Sequence, residues 1–133
     1  MIILDASAVI EFLLRANSVP EIMDAIEQTE VIACPVILDF EILNTLRRQT
    51  QEKLVTSKRA NQALEVYHGL TLERFDTSLL TERIWLLRHN FTSYDASYIA
   101  LAELLEIPLV TCDKKWRDQK LHRADIRYII PAP

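Results

Sequence analysis

Residues 2–13 read IILDASAVIEFL. Ile2-Ile3-Leu4 is a short apolar run rich in β-branched residues, the pattern of a buried strand. Asp5 stops it. Beyond Asp5 the chain turns to small and apolar residues at helical spacing, and Ser7 is placed to cap a helix over 8–14. The same triplet, Asp-Ala-Ser, returns at Asp95-Ala96-Ser97 within SYDASYIALAE (residues 93–103). In both places an acid interrupts sequence that otherwise reads as core. An unpaired carboxylate is expensive to bury, so such groups are hydrogen-bonded, paired or metal-bound.

Working outward, the rest of the chain repeats the strand-then-helix alternation. Pro20 starts a helix to about residue 28. Residues 31–34 are a second strand, and Pro35 opens a long helix to about residue 50. A helix over 57–68 is closed by Gly69, the only glycine. Residues 70–75 are a third strand, Asp76 caps a helix to about residue 89, and Thr92 starts another to about residue 105. Residues 108–111 and 126–130 complete the set of strands. This order predicts βαβ units: a three-layer α/β/α sandwich around a parallel sheet of about five strands, in one domain spanning 1–133. With a single glycine there is no Gly-rich phosphate loop of either the Walker or the dinucleotide type, which argues against a nucleotide cofactor.

Composition agrees with a globular chain: of 133 residues, 50% are hydrophobic and 26% charged. The apolar runs are too short to cross a bilayer, which takes about 20 residues. No basic region precedes the first of them, so it does not read as a signal peptide, and the cytoplasm is the expected location. Cys34 and Cys112 form no C-x-x-C pair and read as reduced thiols, and His68, His89 and His122 have no zinc-like spacing. A net charge of −4 does not suggest a nucleic-acid binder. Charge is uneven, however. Lys114, Lys115, Arg117, Lys120, Arg123 and Arg127 cluster against Asp118 and Asp125, and Arg47, Arg48, Lys53, Lys58 and Arg59 form a second basic group. Ordinary solvated faces explain these groups as well as patches beside an acidic centre do.

In open parallel sheets, sites form beyond the carboxyl ends of the strands, where the strand order reverses. Asp5 and Asp113 each follow such an end and meet if their strands are neighbours. Asp95 lies in the first turn of its helix, where Thr92-Ser93-Tyr94-Asp95 also fits a capping box. On the helix after Pro35, the apolar stripe is read as Val36, Phe40, Leu43 and Leu46. Glu41, Asn44 and Arg48 share the adjacent face, and Asp39 points nearly opposite as a solvated or capping acid. Each acid has an ordinary explanation as cap, turn or solvated residue. Together they suggest a carboxylate cluster, whose mutual repulsion a cation relieves, and all-oxygen ligands favour magnesium or manganese. Such an ion supports phosphodiester cleavage, with Ser7, Asn44 and Thr111 as neutral groups orienting the acids or waters.

Four motifs in this order, IILDASAVIEFL, FEILNTLRR (40–48), SYDASYIALAE and LVTCDKK (109–115), resemble PIN-domain ribonucleases and, among them, the VapC-type toxins of toxin–antitoxin pairs. The resemblance covers essentially the whole chain. It implies that Asp5, Glu41, Asp95 and Asp113 surround a magnesium or manganese site and carry catalysis on an RNA substrate. It implies that Ser7, Asn44 and Thr111 match the family's recurrent polar neighbours. It also implies a homodimer neutralised by a cognate VapB-type antitoxin; the short apolar runs already argue against a membrane partner. Cys112 and Trp116 depart slightly from the family pattern.

The rival readings come from other classes. A non-catalytic PIN-like module that binds RNA or protein would be marked by lost acids, and all four are present. A receiver-type domain would want a Lys after the fifth strand and paired acids after the first, and this chain has neither. A haloacid-dehalogenase-type phosphatase would want a second Asp where Ser7 stands.

Overall fold

The computed structural model describes residues 1–117 and 122–133, so Asp118 and Lys120 of the basic segment lie outside the described residues. Five strands, β1 (Ile2–Leu4), β2 (Ile32–Pro35), β3 (Leu72–Phe75), β4 (Leu109–Thr111) and β5 (Ile126–Tyr128), form one sheet in the order β3-β2-β1-β4-β5. All four pairings are parallel. The helices are α1 (Ala6–Arg15), α2 (Pro20–Gln28), α3 (Ile37–Gln51), α4 (Ser57–Gly69), α5 (Thr81–Leu86) and α6 (Ser93–Leu105).

From β1 to β3 the chain steps outward in one direction. It then returns to lay β4 on the other side of β1. Right-handed crossovers therefore put α1 to α4 on one face and α5 and α6 on the other. The packing agrees: α1 contacts α3 and α4, while α6 contacts α5, β2 and β4. The expected α/β sandwich is thus the observed one.

β1 is the centre of the sheet, with Ile3 and Leu4 fully buried. Its ladder places Leu4 opposite Val110. One further bond, from the Asp5 N–H to the Val110 carbonyl, carries the pairing one residue past the strand. The strand-order reversal therefore falls between β1 and β4, and Asp5 and Asp113 leave the sheet on either side of it.

Several local expectations change. The cap of α1 is Asp5, whose carboxylate accepts the Ala8 N–H, and Ser7 lies inside the helix. Pro35 belongs to β2 and the helix begins at Ile37, because Pro35 stays in register with Phe75 of β3. The buried stripe of α3 is Leu38, Ile42 and Leu46, whereas Val36, Phe40 and Leu43 are exposed. Two i,i+4 sets were available on this helix, and the sheet selected the aliphatic one. Gly69 remains helical without a positive φ; among the described residues the left-handed positions are Lys53 after α3, at φ 59, and Glu106, which ends α6 at φ 55. Asp76 caps only a 3-10 turn over Thr77–Leu79 before the short α5.

Asp39 is neither a cap nor a freely solvated acid. Its oxygens accept bidentate bonds from Arg74 at 2.7 and 2.9 Å, and Tyr67 Oη donates to it at 2.6 Å, tying α3 to α4 and β3. The Arg74 guanidinium chiefly holds its carboxyl below the ordinary value. A depressed carboxyl stabilises the fold above its unfolded pKa, and that stability fades as pH falls through the folded value. Asp39→Asn should therefore lower unfolding free energy by about 1 kcal/mol at neutral pH, discounted for partial exposure. Urea melts at pH 7 and pH 3.5 check this: the gap between variant and parent should shrink in acid.

Candidate active site

Asp5 is 5% exposed, at the centre of the sheet's carboxyl edge. Burial at this depth is tolerated because the carboxylate is well supplied with donors. Oδ1 accepts from the Ser7 hydroxyl at 2.6 Å and the Ala8 N–H at 3.0 Å, and Oδ2 accepts from the Thr111 hydroxyl. Ser7 and Thr111 also meet at 3.2 Å. Each hydroxyl has one proton and both protons point at Asp5, so this last contact is between oxygens that accept elsewhere. They do: Ser7 Oγ takes the Cys112 N–H and Thr111 Oγ1 takes the Asp113 N–H, both at 3.0 Å. Asp5 thus locks β1, the start of α1 and the end of β4 together. Burial still pushes its carboxyl up from the ordinary value, against the pull of these hydrogen bonds, with the charge of Asp113 adding to the rise.

Glu41 approaches from α3. Tyr98, on α6, donates its hydroxyl to Glu41 Oε1 at 2.6 Å. Burial raises the Glu41 carboxyl; Tyr98 opposes the rise, and the charges of Asp5 and Asp95 add to it. Tyr98 is 1% exposed and its own hydroxyl is driven strongly upward, chiefly by burial and by Glu41, so it remains a donor.

Asp95 sits in the first turn of α6. The Thr92 hydroxyl caps that helix by accepting the Asp95 N–H at 3.2 Å. The Asp95 carboxylate is turned outward to Lys115, whose Nζ lies 2.9 Å from Asp95 Oδ2 and 3.3 Å from Asp113 Oδ2. Asp113 also accepts the Lys115 N–H through Oδ1 at 3.0 Å, which caps the 3-10 turn Lys114–Trp116. Burial works against the Lys115 ammonium, but Asp95 and Asp113 outweigh it and raise its pKa. The arrangement therefore brings Glu41 into electrostatic reach of Asp5 and Asp95, and Asp5 into reach of Asp113, with the Lys115 ammonium across Asp95 and Asp113. Among the described residues, no group of three acids, histidines or cysteines is arranged to hold a metal ion as it stands.

Ser7 and Thr111 join the network as expected. Asn44 is exposed on α3 and takes no part in the hydrogen bonds that hold these acids. Tyr98 is no candidate on the sequence pattern, and Lys115 enters there only within the basic group of residues 114–127. The signals were there: Tyr98 falls one turn after Asp95 on the same helix face, and Lys115 falls two residues after Asp113. Some of the other basic side chains have structural partners. Arg59 caps α1 by donating to the Leu13 and Leu14 carbonyls, and Arg83 and Arg123 converge on Glu103. Burial drives both thiols upward, Cys34 to about 11 and Cys112 to about 12, consistent with reduced, unreactive cysteines.

Thr111→Val keeps the shape of a fully buried side chain and removes one donor from a buried carboxylate together with the acceptor of the Asp113 N–H. It should cost about 1–3 kcal/mol of stability. Asp5→Asn in the same background should recover much of the loss, because the demand for that donor comes from the charge. A double-mutant cycle by urea denaturation measures the coupling.

No helix among the described residues is long and apolar enough to cross a membrane. The PIN domain profile matches residues 2–120. Ribonuclease VapC9 of Mycobacterium tuberculosis is 37% identical over 118 residues, 89% of this chain and 90% of that protein. Ribonuclease VapC1 of the same organism is 33% identical over 85% of this chain and 86% of its own length. The backbone resembles the crystal structure of PAE2754 from Pyrobaculum aerophilum at a TM-score of 0.64 and 21% identity, covering 93% of this chain and 81% of that one. It also resembles VapC20 of Mycobacterium tuberculosis, a sarcin–ricin loop cleaving toxin, at a TM-score of 0.61 and 15% identity over 88% of this chain and 93% of that one. The chain is therefore a member of the PIN-domain family, among the VapC-type proteins.

Proposed function

We propose that this chain is an endoribonuclease that hydrolyses RNA phosphodiester bonds with a magnesium or manganese ion, and that it acts as the toxin of a toxin–antitoxin pair in the cytoplasm. The observation that carries the reading is the convergence of Asp5, Glu41, Asp95 and Asp113 at the strand-order reversal. The donor set fits a hard divalent ion. Every group is a carboxylate, and two of them already grip a cationic group, the Lys115 ammonium, between them. Asp5, Asp95 and Asp113 would hold the ion, with Glu41 as a fourth ligand or as the group that positions water. When bound, the ion supplies the positive charge that activates water and steadies the leaving oxygen.

The chain's own residues supply orientation and a proton site. Asp5 cannot swing, because both its oxygens are tied to two elements at once. Glu41 has Oε1 engaged by Tyr98, so Oε2 is the atom to orient the attacking water and take its proton. A carboxyl raised by burial is better suited to that proton than an ordinary one. Asp95 and Asp113 keep their Oδ2 atoms on the open side, where substrate arrives.

The same reading implies partners. A VapB-type antitoxin that presents an Arg or Lys would find a site that already accepts an ammonium. A homodimer has a suitable surface. Val36, Phe40, Trp85 and Tyr94 line an open cleft between α3, α5 and the start of α6, and are 40%, 63%, 66% and 58% exposed. Exposed aromatic patches of this kind mark interfaces rather than ordinary monomer surface. Phe40 and Tyr94 adjoin Glu41 and Asp95 in sequence, so pairing there would set two sites side by side.

Two outcomes are expected. Purified protein should cut total RNA into discrete fragments in manganese or magnesium and not in EDTA. Asp95→Asn should lower the rate about a hundred-fold or more, with an unchanged circular dichroism spectrum, since even residues behind the ligands are worth 10- to 100-fold. Full activity in Asp95→Asn would refute the assignment, and no cleavage by the folded parent would favour the binding-module alternative. Separately, light scattering on Phe40→Asp should give a monomer mass at concentrations where the parent is a dimer.

A further inference from the structure

Lys115 carries a charge that opposes the proposed cofactor, and it sits directly on two of the acids. Its ammonium bridges the two acids that come from different elements: Asp95 from α6 and Asp113 from the turn after β4. It binds their Oδ2 atoms, the oxygens on the open side. The other two acids have different support, since hydroxyl and amide donors hold Asp5 and Tyr98 holds Glu41. The backbone of Lys115 is fixed at both ends. Asp113 Oδ1 caps its N–H, and Trp116, 3% exposed, anchors the next residue against Phe91. Its side chain is 54% exposed, so the head can leave for solvent while the stem stays rooted.

We propose that Lys115 is a tethered competitor of the divalent ion: its ammonium fills the gap between Asp95 and Asp113 when the ion is absent and must be displaced for the ion to bind. This rests on the metal-dependent reading above. The physical consequence is an apparent affinity lowered by the fraction of molecules in which the ammonium is away. Lys115 thereby sets how much divalent ion the enzyme needs. It also keeps the ion-free acids from repelling one another, so the site stays assembled.

The test is manganese binding to the full chain, read by calorimetry and by the electron paramagnetic resonance of free manganese, without RNA. Lys115→Met keeps the stem and removes the charge, and should bind manganese about five- to ten-fold more tightly. The gain should narrow as ionic strength rises. Lys115→Arg should behave as the parent. Lys114→Met, an exposed neighbour with the same change in net charge, should also leave the affinity unchanged. The ion-free Lys115→Met protein should melt lower than the parent, and manganese should raise its Tm more.

If Lys115→Met binds no more tightly than the parent while Asp95→Asn abolishes binding, the competitor role is wrong and the metal reading stands. If Lys114→Met tightens binding equally, bulk charge and not the bridge is responsible, and the proposal fails. If neither the parent nor Lys115→Met binds manganese, or Asp95→Asn binds like the parent, the metal reading itself falls and takes this proposal with it.

Discussion

A carboxylate that is 5% exposed between two parallel strands is the constraint from which the rest of this structure follows. Asp5 needs donors, and no single element can supply enough of them. Its position at the end of β1 lets it cap α1, and the reversal of strand order brings Thr111 of β4 within reach. Ser7 and Thr111 each give their one proton to Asp5 and accept a backbone N–H from the β4 exit, so the loop that carries Asp113 is fixed by the same bonds. A buried charge is costly and its partial compensation is local. Here that compensation also builds the floor of the site.

Around this floor the electrostatics are unbalanced by design of the topology. Parallel strands deliver their carboxyl ends to one edge, and Asp5 and Asp113 are delivered there with Glu41 and Asp95 from helices on opposite faces of the sheet. Burial and mutual repulsion raise Asp5 and Glu41. The protein answers with a phenol that remains a donor beside Glu41 and an ammonium across Asp95 and Asp113. These two partners differ in kind. Tyr98 is buried and part of the core, so it orients. Lys115 is mostly in solvent, so it neutralises and can move away.

The exposed apolar side of α3 has a related origin. The helix carries two apolar rows, and the sheet buries Leu38, Ile42 and Leu46. Val36, Phe40 and Leu43 are then left outside, and Val36 and Phe40 line a cleft with Trp85 and Tyr94. The helix therefore faces inward with aliphatic residues and outward with a bulky, partly aromatic surface, while Glu41 lies between the two. Three of the four residues that the sequence pattern assigned to the core, Val36, Phe40 and Leu43, are the exposed ones, and only Leu46 of that stripe is buried.

The sequence by itself determined the strand–helix alternation, the parallel α/β architecture, the four acids and their polar neighbours Ser7 and Thr111. These are legible because they depend on periodicity and on acids placed where apolar segments end, which are local properties. Tertiary structure decided the remainder. Which row of α3 is buried depends on the sheet beneath it. Whether Asp5 or Ser7 caps α1 depends on where Asp5 finds its other donors. Asp39 became part of a cross-link only because β3 brings Arg74 and α4 brings Tyr67 to it. Tyr98 and Lys115 act on Glu41 and Asp95 across 57 and 20 residues of sequence; their short spacings from Asp95 and Asp113 place them near the acids but do not encode contacts of that length. They exist because folding brings α3, α6 and the turn after β4 to one edge of a single sheet.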